Sequence, residues 1–245
     1  MKADVIIQAR MTSTRLPGKI LMPVLDKPLL KYQIERLRRA KSVSKIIIAT
    51  TENKTDDPII EFCKSNELLF YRGSENDVLS RYYDAATKYD CHSIVRITSD
   101  CPVIDPVIVD KVIDFFFNSE KKCDYASNCL VRTFPRGMDT EVFTYQALAR
   151  AFKSAVEVPD REHVTPYIYR NPGEFNISNI TDANDNSCYR LTVDTSDDFE
   201  LIKRIIESLY PKNPFFSLNE ILTLMSANPE WFKINMHIEQ KKYGQ

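Results

Sequence analysis

Residues 5–21 read VIIQARMTSTRLPGKIL. An apolar run, Val5 to Ile7, breaks into a polar loop carrying Arg10, Arg15 and Lys19, with hydroxyl residues and one glycine, Gly18, between them. A short continuous apolar run that ends in polar residues is the pattern of a buried strand. The loop after it is rich in anion-binding groups. Arginine offers phosphate oxygens a planar fork, lysine a mobile point charge, and hydroxyls and backbone N–H groups add neutral donors. That inventory suits a polyphosphate; a solvated basic loop is the plainer alternative. Gly18 stands alone, so this is neither a Walker loop nor a G-x-G-x-x-G fingerprint.

Working outward, the same strand pattern recurs. DVIIQ (4–8), KIIIAT (45–50), LLFYRG (68–73) and SIVRIT (93–98) read as buried strands. LLKYQIERLRRA (29–40), DDPIIEFCKSN (56–66), DVLSRYYDAATKY (77–89) and PVIVDKVIDFFF (106–117) read as helices, and Leu30, Ile34 and Leu37 share a face in the first. Asp57 before Pro58 reads as an N-cap followed by an N1 proline. Strands alternating with helices predict an α/β fold built on a doubly wound, mostly parallel sheet. Ligands should then sit beyond the carboxyl ends of the strands. After about residue 120 the rhythm changes. TEVFTYQALARAF (140–152), FNISNI (175–180) and CYRLTVD (188–194) suggest a second, inserted layer, and DDFELIKRIIESLY (197–210) a helix that returns to the core. The expectation is one domain, residues 1–245, with an α+β insertion at about 123–190.

Composition narrows the function. A net charge of −1 leaves no global basic surface for nucleic acid or an anionic membrane, so anion recognition must be local. No stretch is apolar for long enough to span a bilayer, and the polar start does not read as a secretory signal. The six cysteines contain no C-x-x-C pair, which suits reduced, packed thiols in a cytoplasmic protein.

QARMTSTRLPGKIL also resembles the signature loop of the CTP-dependent sugar nucleotidyltransferases, which include the synthetases of CMP-activated keto-deoxy-octulosonate and CMP-sialic acid. Ala9, Arg10, Ser13, Arg15, Leu16, Pro17 and Lys19 match its A-R-x-x-S-x-R-L-P-x-K pattern. DVLSRYYDAA, RITSDCPVIDP, REHVTPYIY and TVDTSDDFELI look like the spore-coat polysaccharide (SpsF-like) branch, in the family's order, from about residue 4 to residue 210. The resemblance implies a Rossmann-like nucleotidyltransferase fold that binds CTP and Mg²⁺. By matching position, Arg10 and Lys19 hold the β- and γ-phosphates with Ser13 and Arg15 assisting, and Gln8, Ala9 and Ser99 lie at the nucleotide. Asp100, in RITSDCP, and Asp194, in LTVDTSDDFE, would hold the Mg²⁺, making Arg10, Lys19 and Asp100 the catalytic set. Without the resemblance, Asp194 reads as a helix cap, as does Asp197. Arg72, Asp77 and Arg81, around the start of a helix, would lie beside the base and phosphates; the alternative is an Asp77 cap and an Arg81 surface ion pair.

The insertion is the expected acceptor side. Arg136, Asp139 and Glu141 flank a glycine turn, and Arg161, Glu162 and His163 precede a Thr165-Pro166 helix start. Arg136 and Arg161 could clamp an acidic acceptor, and His163 could act as a base, although a packed or capping histidine is the commoner use. His92 and His237 have no supporting neighbours in sequence, and Trp231 reads as a packing anchor. The keto-deoxy-octulosonate enzymes carry a glycine before the metal aspartate and an acidic residue after it, where this chain has Ser99 and Cys101. That difference weighs against a sugar-acid acceptor. The reading is therefore a Mg²⁺-dependent cytidylyltransferase for cell-surface polysaccharide, acting on CTP and a small anionic acceptor, and paired as a homodimer as relatives often are. A glycosyltransferase using a nucleotide sugar would show Asp-x-Asp after the metal strand, where this chain has SDC. A non-catalytic nucleotide-binding protein would show a damaged loop.

Overall fold

The computed structural model describes residues 1–119 and 122–240. Strand β1 (Ala3–Gln8) lies inside a seven-stranded sheet. Val5 and Ile7 pack with Leu30, Ile34 and Ile59 on one face, while Ile6 packs with Leu79, Tyr82 and Phe143 on the other. A strand covered on both faces has no solvent side to alternate with, which is why the run is uniformly apolar. Each such side chain contributes roughly 1.5–3 kcal/mol by leaving water.

After β1 the chain forms a small ribbon, β2 (Pro23–Val24) with β3 (Lys27–Pro28), and enters α1 (Leu29–Leu37). It returns in β4 (Val43–Thr51) and crosses through α2 (Asp57–Ser65) to β5 (Leu69–Gly73). Helix α3 (Val78–Lys88) then carries it back to β6 (Ser93–Thr98), on the other side of β1. Next come α4 (Pro106–Phe117), β7 (Tyr125–Ser127), β8 (Glu141–Thr144), α5 (Tyr145–Ser154), α6 (Val158–His163), α7 (Pro166–Arg170) and β9 (Ile177–Asn179). Helices α8 (Ser196–Leu209), α9 (Leu218–Ala227) and α10 (Phe232–Asn235) follow.

The sheet order is β5-β4-β1-β6-β8-β7-β9. The first four strands are mutually parallel, β8 runs antiparallel to both β6 and β7, and β7 is parallel to β9. This is the expected doubly wound, mostly parallel sheet. The winding direction reverses between β1 and β6, and such a reversal opens a crevice at the carboxyl ends of the two strands. Gln8 and Thr98 pair at that end.

Three local expectations are corrected. The strands of 123–190 form no second layer; β8, β7 and β9 extend the one sheet. CYRLTVD is not a strand. Leu191 and Val193 are buried among Phe134, Met138 and Leu201, but among the described residues the segment's ladder contact is a single bridge, Arg136 to Arg190. It is held instead by isolated bonds: Leu191 N–H donates to the Arg136 carbonyl at 2.8 Å and Val193 N–H to the Asp100 carbonyl at 2.8 Å. Gly137 permits this approach. Its φ is +100°, and a Cβ there would lie 2.6 Å from the Leu191 carbonyl oxygen. Finally, Asp57 is the first helical residue of α2 and Asp56 stands at the N-cap position, its carboxylate turned away to other partners. Among the described residues no helix is long and apolar enough to cross a membrane.

Candidate active site

The cation-rich loop is pinned at both ends. Ala9 N–H continues the β4 pairing by donating to the Ala49 carbonyl at 3.0 Å. Met11 N–H then donates to Asp56 Oδ1 at 2.7 Å, and the Thr51 hydroxyl donates to Oδ2 of the same fully buried carboxylate. The Thr12 hydroxyl reaches Glu75 at 3.1 Å. Gly18 N–H closes the loop onto the Met11 carbonyl at 2.9 Å. With φ +70°, Gly18 turns the chain into the short helix Lys19–Leu21, which buries Ile20 and Lys19. Arg10 stays exposed and makes no hydrogen bond or ion pair among the described residues. Ser13 Oγ accepts a long bond, 3.5 Å, from Leu16 N–H.

Asp100 follows β6, and its Oδ1 accepts from the Thr98 hydroxyl and, at 3.4 Å, from the Cys101 thiol. Burial and the neighbouring Asp100 push that thiol's pKa well up, so it remains a neutral donor. The bond from Val193 N–H to the Asp100 carbonyl brings Asp194 alongside. Lys19 Nζ lies 2.7 Å from Asp194 Oδ1 and 3.9 Å from Asp100 Oδ2, so the two carboxylates converge on one ammonium. Arg15 and Arg190 reach Asp194 Oδ2 at 2.9 and 2.7 Å. Burial would raise the Asp194 pKa, but Lys19, Arg15 and Arg190 outweigh it and hold the carboxyl below its ordinary value. Asp194 is not a helix cap. Thr195 caps α8, in a capping box with Asp198. Asp197 is not the cap either; it faces His237 Nε2 at 3.3 Å.

The other expected residues do not gather into one cluster. Gln8 ends β1 with its Oε1 buried and without a hydrogen-bond partner among the described residues, and Ser99 is buried beside it, its N–H on the Gln8 carbonyl at 3.3 Å. Arg72 is spent within the protein, on the Thr51 and Asn53 carbonyls and on Asp57, all at 2.8 Å. Asp77 caps α3 through Ser80 N–H at 2.9 Å and also receives Arg161, whose guanidinium further donates to the Phe152 and Ala155 carbonyls. Arg161 therefore ties α6 to α3 and is not an open clamp for an acceptor. Arg81 is buried, not on the surface, and donates to the Ser74 carbonyl at 2.7 Å. Asp139 pairs with Arg132, and Glu162 is exposed.

Glu141 lies in a different environment from Asp139. Its carboxylate pairs with Arg96 and accepts from the Tyr125 hydroxyl at 2.7 Å and the Thr165 hydroxyl at 2.6 Å. His163 adjoins this network, and burial lowers its pKa despite the pull of Glu162. The imidazole is thus neutral at pH 7 and can accept a proton. The folded state binds fewer protons than the unfolded one just below the ordinary histidine value. Its contribution to stability is therefore present above about pH 6.5 and is lost as the pH falls through the lower native value. His163→Gln is expected to flatten that acid-side decline between pH 7 and 5 in urea titrations; an unchanged slope would sink the idea.

Comparison with known proteins decides the family. A family profile described as cytidylyltransferase matches residues 5–239. The chain belongs to the cytidylyltransferase family. This cytidylyltransferase is 33% identical over 232 residues to the spore coat polysaccharide biosynthesis protein SpsF of Bacillus subtilis, covering 92% of this chain and 94% of that protein. A solved structure of a cytidylyltransferase from Leptospira borgpetersenii superposes with a TM-score of 0.89 at 38% identity, over 99% of this chain and 100% of that one. The fold is shared as well with CMP:2-keto-3-deoxy-manno-octonic acid synthetase complexed with CTP, at a TM-score of 0.64 and 17% identity, over 85% of this chain and 99% of that one. The enzyme is a nucleotidyltransferase.

Four residues around this candidate site escape the sequence reading. Arg190 binds both Asp194 and Asp198, Arg132 holds Asp139, Asp56 anchors the loop, and Thr98 orients Asp100. Thr98 alone carried a local signal, a hydroxyl two residues before the rim aspartate. Arg190 and Arg132 pair with carboxylates four to eight positions on, but across irregular segments whose path the sequence does not reveal, and Asp56 is a turned side chain.

Proposed function

We propose that this cytidylyltransferase transfers CMP from CTP to a small anionic acceptor, with release of pyrophosphate. The observation that carries the reading is the convergence of Lys19, Arg15, Asp100 and Asp194 at the β1–β6 crevice, with Arg10 exposed beside it. An acceptor oxygen attacks the α-phosphorus, the bond to the β-phosphate bridging oxygen breaks, and negative charge accumulates on the departing pyrophosphate. Cations fixed there stabilise the transition state more than the ground state. Arg10, Lys19 and Arg15 supply them, with Ser13 and loop N–H groups as neutral donors. The buried Gln8 Oε1, unpartnered among the described residues, is an acceptor for an amino group such as that of cytosine.

Asp100 and Asp194 suit Mg²⁺ because they are hard oxygen donors converging on one cation. Among the described residues no third carboxylate, histidine or cysteine completes a metal cluster, which leaves room for phosphate oxygens and water. A Mg²⁺ held there would neutralise charge on the triphosphate.

Arg136 is the group to receive the acceptor's anion. It is half-buried and has no side-chain ion pair among the described residues, and burial together with Arg132 lowers its pKa. A cation left uncompensated in this way favours an incoming phosphate, phosphonate or carboxylate. The SpsF relative supports a place in cell-surface polysaccharide synthesis. A cytoplasmic homodimer accords with this reading. Edge strand β9 and the exposed Leu130 and Val131, 40% and 62% accessible, form an apolar rim for a second copy to cover.

The test is pyrophosphate release with Mg²⁺ and each of the four nucleoside triphosphates, against phosphorylated, phosphonate and sugar-acid acceptors. A CTP-selective signal is expected with one acceptor class. Arg136→Ala should raise the KM for that acceptor about tenfold or more, with little change in the KM for CTP. Absence of CTP binding by calorimetry would overturn the reading.

A further inference from the structure

We propose that Arg190 is the positioning residue that keeps Asp194 aimed at the divalent ion while the loop cations are taken up by the triphosphate. The inference rests on the Mg²⁺–CTP reading above. In the structure Asp194 is held by three cations: Lys19 on Oδ1, and Arg15 and Arg190 on Oδ2. Lys19 and Arg15 belong to the loop assigned to the phosphates, so a bound triphosphate competes with Asp194 for both. If they were its only partners, nucleotide binding would release the carboxylate just when it is needed.

Arg190 cannot follow them. Its Nε and Nη2 grip Asp198 at 2.9 and 3.1 Å, and its Nη1 donates to Gln240 Oε1 at 2.7 Å. Asp198 is itself fully buried and fixed, accepting from the backbone N–H groups of Asp194 and Thr195 at 2.9 and 3.1 Å and from Asn235 Nδ2 at 2.9 Å. The same Asn235 amide donates to the Arg190 carbonyl at 3.0 Å. Arg190 is thus mounted on α8 and the chain's last described segment, and among the described residues it has no hydrogen bond or ion pair to the phosphate loop.

The geometry at Asp194 also has a direction. Arg190 touches Oδ2 alone. Oδ1 faces the Lys19 ammonium, which lies 3.9 Å from Asp100 Oδ2 as well. Once Lys19 turns to the phosphates, Oδ1 opens toward Asp100 with Arg190 still bracing the other oxygen. A partner that orients a metal-binding carboxylate without touching the metal commonly accounts for 10- to 100-fold in metal affinity.

The experiment is calorimetric CTP binding to the full chain, once in EDTA and once in excess Mg²⁺, for the wild type, Arg190→Lys and Asn235→Ala. The ratio of the two affinities reads the coupling between nucleotide and metal. Arg190→Lys keeps the charge that Asp198 needs but cannot fork between two carboxylates. It is expected to leave the affinity in EDTA within about threefold of wild type while cutting the Mg²⁺ enhancement about tenfold or more. Asn235→Ala loosens the mount without removing a charge and should cut the enhancement less, again sparing the affinity in EDTA. A merely structural arginine would lower both affinities together. Equal losses in EDTA and Mg²⁺, or a full enhancement retained in both variants, would overturn the inference alone. A wild type that binds no CTP, or binds it equally with and without Mg²⁺, would overturn the reading beneath it.

Discussion

Asp100→Ala is expected to lower kcat/KM for pyrophosphate release by about 10³-fold, equivalent to about 4 kcal/mol of transition-state stabilisation, while melting close to the wild-type temperature. The carboxylate has little structural work. Its side chain is 20% exposed, its contact with Lys19 is long, 3.9 Å, and its other side-chain partners are a hydroxyl and a thiol. What the substitution removes is one of the two carboxylates that converge on Lys19, the pair proposed to hold Mg²⁺ at the triphosphate. Steady-state kinetics beside a thermal melt check both halves of the expectation. Turnover within tenfold of wild type would remove Asp100 from the catalytic set.

Glu141→Ala is expected to do the reverse, costing about 3–5 kcal/mol of stability. The Glu141 side chain is only 9% exposed, and its partner Arg96 is 14% exposed. Burial disfavours the Arg96 charge, yet Glu141 outweighs it and holds the guanidinium above its ordinary pKa. Alanine would leave that charge enclosed and deprive the Tyr125 and Thr165 hydroxyls of their acceptor. Arg96 and Glu141 also pair across the β6–β8 ladder, so the damage falls where the parallel and antiparallel parts of the sheet meet. Urea unfolding measures it. A loss below about 1 kcal/mol would show that solvent or other groups compensate the arginine.

The parallel half of the fold is legible because its signals are local. A run such as KIIIAT needs no knowledge of its neighbours to be read as a strand covered on both faces, and Pro106 marks the start of α4. The cation-rich loop is legible for the same reason, since its cations lie within ten residues of one another. CYRLTVD misleads because alternating buried Leu191 and Val193 look the same whether the backbone pairs with a strand or makes scattered single bonds. Charged residues are harder still. Arg161 and Asp77 are separated by 84 positions in sequence and neutralise each other, and Arg72 is consumed by two carbonyls and Asp57. Nothing in the sequence separates such internal commitments from the guanidinium of Arg136, which no carboxylate holds among the described residues. Arg190 is illegible for another reason: its carboxylate partners lie only four and eight positions on, but across an irregular segment that reads as a strand.

The hydrogen bond from Val193 N–H to the Asp100 carbonyl sets the distance between the two aspartates through the main chain. The main-chain part of that distance is therefore set apart from the ion pairs that aim the two carboxylates. The Arg136 carbonyl that receives Leu191 N–H and the glycine that lets it approach belong to the same frame, so side chains at 132, 136 and 139 are open to exchange but the backbone that carries them is not. A designer seeking a different acceptor can vary those side chains and keep the main-chain bonds at Leu191 and Val193 as fixed joints.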